Sequence, residues 1–142
     1  MTIELLAALV VIALGLVQVF LQASEFRRVH GVVYANTAQD TAPTQPDSVL
    51  LGRLTRALRN LHETLPFFLG VVIILALMGH STQMTQISAL VFAGARIIYV
   101  PLYAFGVPNL RGLVWTISFV ALIVLVSAAL RAADWSALSA IG

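Results

Sequence analysis

Gly52-Arg53-Leu54-Thr55-Arg56-Ala57-Leu58-Arg59-Asn60-Leu61-His62-Glu63-Thr64-Leu65-Pro66-Phe67-Phe68 is the stretch that decides the fold. Its first half carries three arginines, an asparagine, a histidine and a glutamate. Its second half runs into an apolar segment, and no Asp, Glu, Lys or Arg occurs from Thr64 to Ala95. Wound as one helix, Arg53, Arg56, Asn60 and Glu63 fall within an arc of roughly 80°. A polar stripe therefore sits on a helix that enters a bilayer. Such stripes are costly in lipid and face a bundle interior or a wet cavity.

Outward from this stretch the chain reads as a polytopic membrane protein. It has 142 residues, of which 60% are hydrophobic and 10% charged, whereas a soluble domain has about 25% charged. Ile3 to about Ser24 is an aliphatic run long enough to span. Its acidic start, with Glu4, and the lack of a clear small-x-small site argue against a cleaved signal peptide. Glu25, Arg27, Arg28 and His30 extend the first helix, expected over about 3–28. The Thr-, Pro-, Gln- and Asp-rich segment from Asn36 to Ser48 reads as loop, and Pro46-Asp47-Ser48 as the cap of a second helix.

That helix is expected over about 48–78, with Pro66 bending it. The uncharged turn Gly79-His80-Ser81-Thr82-Gln83 then makes the third helix, about 85–105, its antiparallel neighbour. After Gly106-Val107-Pro108-Asn109, a fourth helix covers about 110–132. The expected fold is all-α, one transmembrane domain over 1–142. Arg27, Arg28, Arg53 and Arg111 lie in loop 1 and near the 3–4 turn, and the 2–3 turn is uncharged. The positive-inside rule puts loop 1 and the 3–4 turn in the cytoplasm and both termini outside it.

Composition excludes several chemistries. Without cysteine there is no disulfide, thiolate-zinc site or thiol nucleophile, so any thiol comes with a ligand. All eight basic residues are arginine, which excludes a lysine Schiff base. The formal charge of +2 is too small and scattered for nucleic acid. The histidines stand at no metal-ligand spacing.

The topology gathers the polar half of helix 2, the C-terminal part of helix 3 and the head of helix 4 at one end. Arg96, Tyr99 and Tyr103 share an arc of about 60° on helix 3, and Arg111 and Trp115 share a face of helix 4. Cations and phenols facing one cavity suit a small anionic ligand. Glu63 would pair with a ligand ammonium or neutralise Arg56 or Arg59. Simpler readings stand beside this one. Arg27, Arg28 and Arg53 serve as anchors to lipid phosphates, Arg59 and Glu63 as a helix ion pair, and Tyr99, Tyr103 and Trp115 as an interfacial aromatic belt.

Arg56-Ala57-x-x-Asn60-x-x-Glu63-x-x-Pro66-x-Phe68 resembles the helix 2 signature of the MAPEG family, the membrane-associated proteins in eicosanoid and glutathione metabolism. Arg96-x-x-Tyr99-x-x-x-Tyr103-x-x-Gly106 followed by Arg111 resembles its helix 3 and 4 pattern. The resemblance implies a homotrimer of four-helix bundles with glutathione as cofactor, bound between subunits near the cytoplasmic side. It implies that Arg56, Asn60 and Glu63 hold the glutathione backbone, with Arg59 beside them. It assigns Arg96, Tyr99 and Tyr103 to ligand contacts, Arg28 to a contact at the end of helix 1, and Arg111 to stabilising the thiolate.

The activity implied is a glutathione S-transferase or peroxidase acting on lipophilic electrophiles that arrive from the lipid. A cation beside a thiol raises its thiolate fraction, and arginine does so without taking the proton. Thr64 stands where several conjugating members have tyrosine. Tyr99 stands where one prostaglandin-forming branch has histidine, and Val107-Pro108-Asn109 is of a bacterial type, which implies an inner-membrane location. The alternative is a non-enzymatic membrane protein binding anionic lipid headgroups or a partner protein. A transporter is the weaker reading, since no pair of matching broken helices signals inverted repeats.

Overall fold

The computed structural model describes residues 1–136, which form four α-helices: α1 (Ile3–Ala35), α2 (Val49–Leu77), α3 (Gln83–Phe105) and α4 (Pro108–Ala132). All four are long and apolar enough to cross a membrane. The connections after α1 and α3 lie at one end of the bundle, here the loop-1 end. The N-terminus and the turn between α2 and α3 lie at the other.

Local chemistry sets the helix ends. Ser48 caps α2, its Oγ accepting from the Leu51 N–H at 3.0 Å. Thr82 and Thr85 cap α3 reciprocally, each side-chain oxygen accepting from the other's backbone N–H. Pro108 starts α4, where its missing N–H costs nothing. α3 ends at Gly106, whose φ of 74° belongs to the left-handed region that favours glycine. α2 is helical through Pro66.

α1 continues well past residue 28. Its last turns follow a kink at Gly31 (φ 81°, ψ 153°), a conformation open only to glycine. The continuation is held from outside: the His30 imidazole meets the Asp47 carboxylate at 2.9 Å, and the Tyr34 hydroxyl donates to the Thr41 carbonyl at 2.8 Å. Both partners lie in the connection to α2, so tertiary bonds hold the helix on either side of the Gly31 kink.

α2 and α3 pack together as the central pair. α1 and α4 each touch both of them, and among the described residues α1 and α4 do not touch each other. Small residues at the contacts (Ala7 and Ala8 on α1, Ala89 and Ala93 on α3, Ala121 and Ala129 on α4) let the backbones approach closely. Phe68 and Phe92 fill the centre, stacked at 4.0 Å between ring centroids and both fully buried. Leu and Ile side chains such as Leu16, Ile74, Ile87 and Ile123 remain exposed on the outside, where lipid is the solvent.

The end opposite loop 1 is tied by a buried acid. Glu4, 2% exposed, accepts from Thr85 Oγ1 at 2.5 Å and from Ser81 Oγ at 3.0 and 3.1 Å. A carboxylate at the start of α3 also complements that helix's dipole. These bonds fasten α1 to α3 and leave the polar half of α2 against α3 and α4 at the loop-1 end.

Candidate functional site

At the loop-1 end the arginines divide by what lies across from them. Arg53 closes α3: its Nη1 donates to the Ala104 carbonyl at 3.1 Å, and its guanidinium lies where a Cβ on Gly106 would stand. That satisfies one of the carbonyls left over at a helix C-terminus. Arg28, on α1, forms a forked pair with Glu25 at 2.6 and 2.7 Å, and Ser48 also donates to Glu25 at 2.7 Å. Arg28 is thus committed to the α1–α2 junction, although its side chain stays largely exposed. Arg59 and Glu63 form a loose pair at 3.9 Å on the exposed face of α2.

Arg96 is enclosed by the bundle, at 2% exposure. Its Nη1 donates to Asn60 Oδ1 at 2.7 Å and its Nη2 to Thr64 Oγ1 at 2.8 Å. The guanidinium lies over the rings of Phe92 and Tyr99, at 5.2 and 5.8 Å from their centroids. No carboxylate within salt-bridge distance neutralises it among the described residues. The amide, the hydroxyl and the two rings instead compensate the buried cation, while its Nε is buried without a hydrogen-bond partner.

Arg56 and Arg111 converge on one phenol. Arg111, half-buried at the head of α4, lies over the Tyr103 ring at 4.6 Å from its centroid, and Arg56, exposed on α2, lies at 6.0 Å from the same centroid. Tyr99 packs edge-on against Tyr103 at 5.4 Å and is itself buried. α2, α3 and α4 therefore contribute one cluster of two accessible cations and two phenols. An arginine in the first turn of α4 opposes its own helix dipole. The positive end of α4 and its guanidinium thus attract the same anion.

Between α2 and α4 runs an apolar groove of about 480 Å³, lined by Phe67, Trp115, Phe119, Ile123 and Val126, with Glu63 at its polar end. It shares Phe67 and Val126 with a second cavity of about 380 Å³, so the apolar channel continues toward Met78. Trp115 stacks on Phe119 at 5.2 Å, and its buried indole N–H has no hydrogen-bond partner. No cluster of three metal-binding side chains occurs among the described residues.

The structure brings Arg56, Tyr99, Tyr103 and Arg111 together and joins Arg96 to Asn60. It leaves Arg59 and Glu63 on the open face of α2, occupies Arg53 and Arg28 with structural bonds, and puts Trp115 in the groove. Sequence reasoning gave no role to Thr64, which accepts from Arg96 and donates to the Leu61 carbonyl at 3.2 Å. Its spacing of four from Asn60, on the face turned to α3, was the available signal.

These features define a multi-pass membrane protein with an arginine–tyrosine cluster at one end and an apolar groove beside it. The chain belongs to the MAPEG family, which it matches over residues 5–131. No curated protein and no solved structure matches the chain.

Proposed function

We propose that this protein binds glutathione at the Arg56–Tyr103–Arg111 cluster and acts as a glutathione S-transferase or peroxidase on lipophilic electrophiles. The observation that carries the reading is the convergence of two accessible guanidinium groups on one phenol, one helical turn from the head of an apolar groove. Glutathione brings two carboxylates, an ammonium and a thiol. Arg56 and Asn60 take carboxylate or carbonyl oxygens, Glu63 takes the ammonium, and Arg59, Tyr99 and Tyr103 complete the holding surface. Arg111 is the catalytic residue: beside the sulfur it favours the thiolate over the thiol, and it stays charged throughout. The electrophile occupies the α2–α4 groove and meets the thiolate from the side, against the Trp115 and Phe119 rings. The protein supplies orientation and a fixed cation, and the ligand supplies the nucleophile.

The active form in this reading is a homotrimer. Thr55, Arg56, Arg59, His62 and Glu63 lie exposed on one side of a spanning helix. Hydrocarbon is a costly medium for such charges, whereas a neighbouring copy covers them and closes the site, bringing Arg28 and Arg53 of each chain to the subunit boundary. The number three comes from the family, as does the glutathione. In this reading the positive-inside rule turns the loop-1 end to the cytoplasm and both termini outward, and the family resemblance of the 3–4 turn suggests a bacterial inner membrane.

The test is glutathione added to detergent-solubilised protein, followed by the ultraviolet absorbance of the thiolate. A thiolate band is expected for the wild type and is lost in Arg111→Met, while binding persists. Absence of binding at millimolar glutathione overturns the reading. Copurified anionic lipid, released by substitution of Arg56 or Arg111 and unaccompanied by any thiolate, establishes the headgroup-binding alternative instead. A monomeric mass in native mass spectrometry refutes the trimer.

A further inference from the structure

We infer that Arg96 is a positioning residue: it fixes the side-chain amide of Asn60 with the oxygen inward and the NH2 group turned toward the ligand, and it does not touch the ligand itself. The inference rests on the glutathione reading above and replaces the direct contact that the family pattern suggests for this arginine.

A guanidinium has donors and no acceptor, so the Asn60 atom that faces Arg96 Nη1 at 2.7 Å must be the carbonyl oxygen. Asn60 Nδ2 is thereby left without a partner among the described residues, on a half-buried side chain one turn from Arg56 and one turn from Glu63. Without Arg96 the amide has two orientations of similar energy, offering an acceptor in one and donors in the other. With Arg96 it offers donors only. A ligand group meeting Asn60 must therefore be an acceptor, as the carboxylate and carbonyl oxygens of glutathione are.

Arg96 is itself held against rotation. Thr64 Oγ1 takes its second terminal nitrogen at 2.8 Å, and Phe92 and Tyr99 flank its guanidinium. Thr64 is fixed in turn by donating to the Leu61 carbonyl at 3.2 Å. At 2% exposure Arg96 presents almost no surface to a bound molecule. The chain of bonds from α2 through α3 and back to α2 ends at one oriented NH2 group. Preorganisation of this kind lowers the cost of binding, because no amide has to be turned when the ligand arrives.

The experiment is a double-mutant cycle on glutathione affinity in the purified, detergent-solubilised protein, using Arg96→Gln, Asn60→Ala and the pair, with Asn60→Asp alongside. Arg96→Gln is expected to weaken binding about tenfold in the wild-type background and to cause no further loss in Asn60→Ala, because its effect passes through Asn60. Losses that multiply in the pair show that Arg96 acts on the ligand directly and overturn the inference.

Asn60→Asp keeps an oxygen against Arg96 and replaces the outward donor with a second oxygen. Its melting temperature should equal or exceed the wild type's while glutathione affinity falls about tenfold or more. Wild-type affinity in Asn60→Asp, or a melting temperature as low as that of Asn60→Ala, overturns the inference even if Arg96→Gln fails to fold. Failure of the wild type to bind glutathione refutes the site reading, and with it the ligand-facing half of this inference. The melting temperatures still decide whether Arg96 holds the Asn60 oxygen.

Discussion

Tyr103 holds the two accessible cations of the cluster by its ring, which predicts different outcomes for its two simplest replacements. Arg111 lies 4.6 Å from the ring centroid and Arg56 6.0 Å, the latter at the limit of a useful interaction. Arg111 is half-buried, so its contact with the ring lies between the exposed and the desolvated case and is worth about 1–2 kcal/mol. Tyr103→Leu removes that attraction and frees Arg111 to turn toward solvent. Spread over the orientations of the side chain, this is about a 5- to 30-fold loss in the population that faces a bound sulfur.

Tyr103→Phe keeps the ring face and loses only the hydroxyl. The assay is the thiolate absorbance of bound glutathione measured across pH. In Tyr103→Leu the thiolate should form about one pH unit higher than in the wild type, since a tenfold change in the equilibrium corresponds to one unit. Tyr103→Phe should follow the wild type closely. Equal damage from Phe and Leu would assign the role to the hydroxyl and refute the ring argument. A wild-type curve for Leu would show that Arg111 needs no aromatic support.

Two further substitutions test how the bundle holds the site. Glu4→Ala removes the acceptor that ties Ser81 and Thr85 to α1, while Thr85 Oγ1 keeps the Thr82 carbonyl at 2.9 Å, and should destabilise the protein by about 1–3 kcal/mol. Glu4→Gln retains an acceptor oxygen, so its apparent melting temperature in detergent should fall less than that of Glu4→Ala, and equal falls would refute the hydrogen-bond account. Gly106→Ala imposes a side chain on a left-handed residue and displaces the Arg53 guanidinium, at a cost of about 1–2 kcal/mol. In an Arg53→Ala background the collision is gone, and the same melting measurement should show a smaller additional loss.

Much of the architecture was legible in the chain because its causes are local. Apolar runs long enough to span announce four membrane helices, and the polar stripe of α2 announces that one of them faces something other than lipid. The C-terminal limit of α1 was not legible. The turns beyond residue 28 are interrupted by Gly31, which reads as a helix end, and are held by Asp47 and Thr41 from the following connection. The buried acid was equally hidden, because Glu4 near a terminus reads as an interfacial charge until Ser81 and Thr85 are brought against it.

The arginines mark the boundary between the two kinds of information. Residue identity and spacing alone establish that Arg53, Arg56, Arg59, Arg96 and Arg111 are always charged and lie toward one end of helices 2, 3 and 4. It could not say what each one does, because a guanidinium serves equally as helix cap, buried hydrogen-bond hub, ion-pair partner or ligand cation. Which role each takes depends on the side chains that the packing of α2, α3 and α4 brings across from it. That packing gave Arg53 the last carbonyls of α3, Arg96 the pair Asn60 and Thr64, and Arg111 the face of Tyr103. Helical periodicity fixes a residue's angle about its own axis, and only the packed bundle fixes that axis relative to its neighbours.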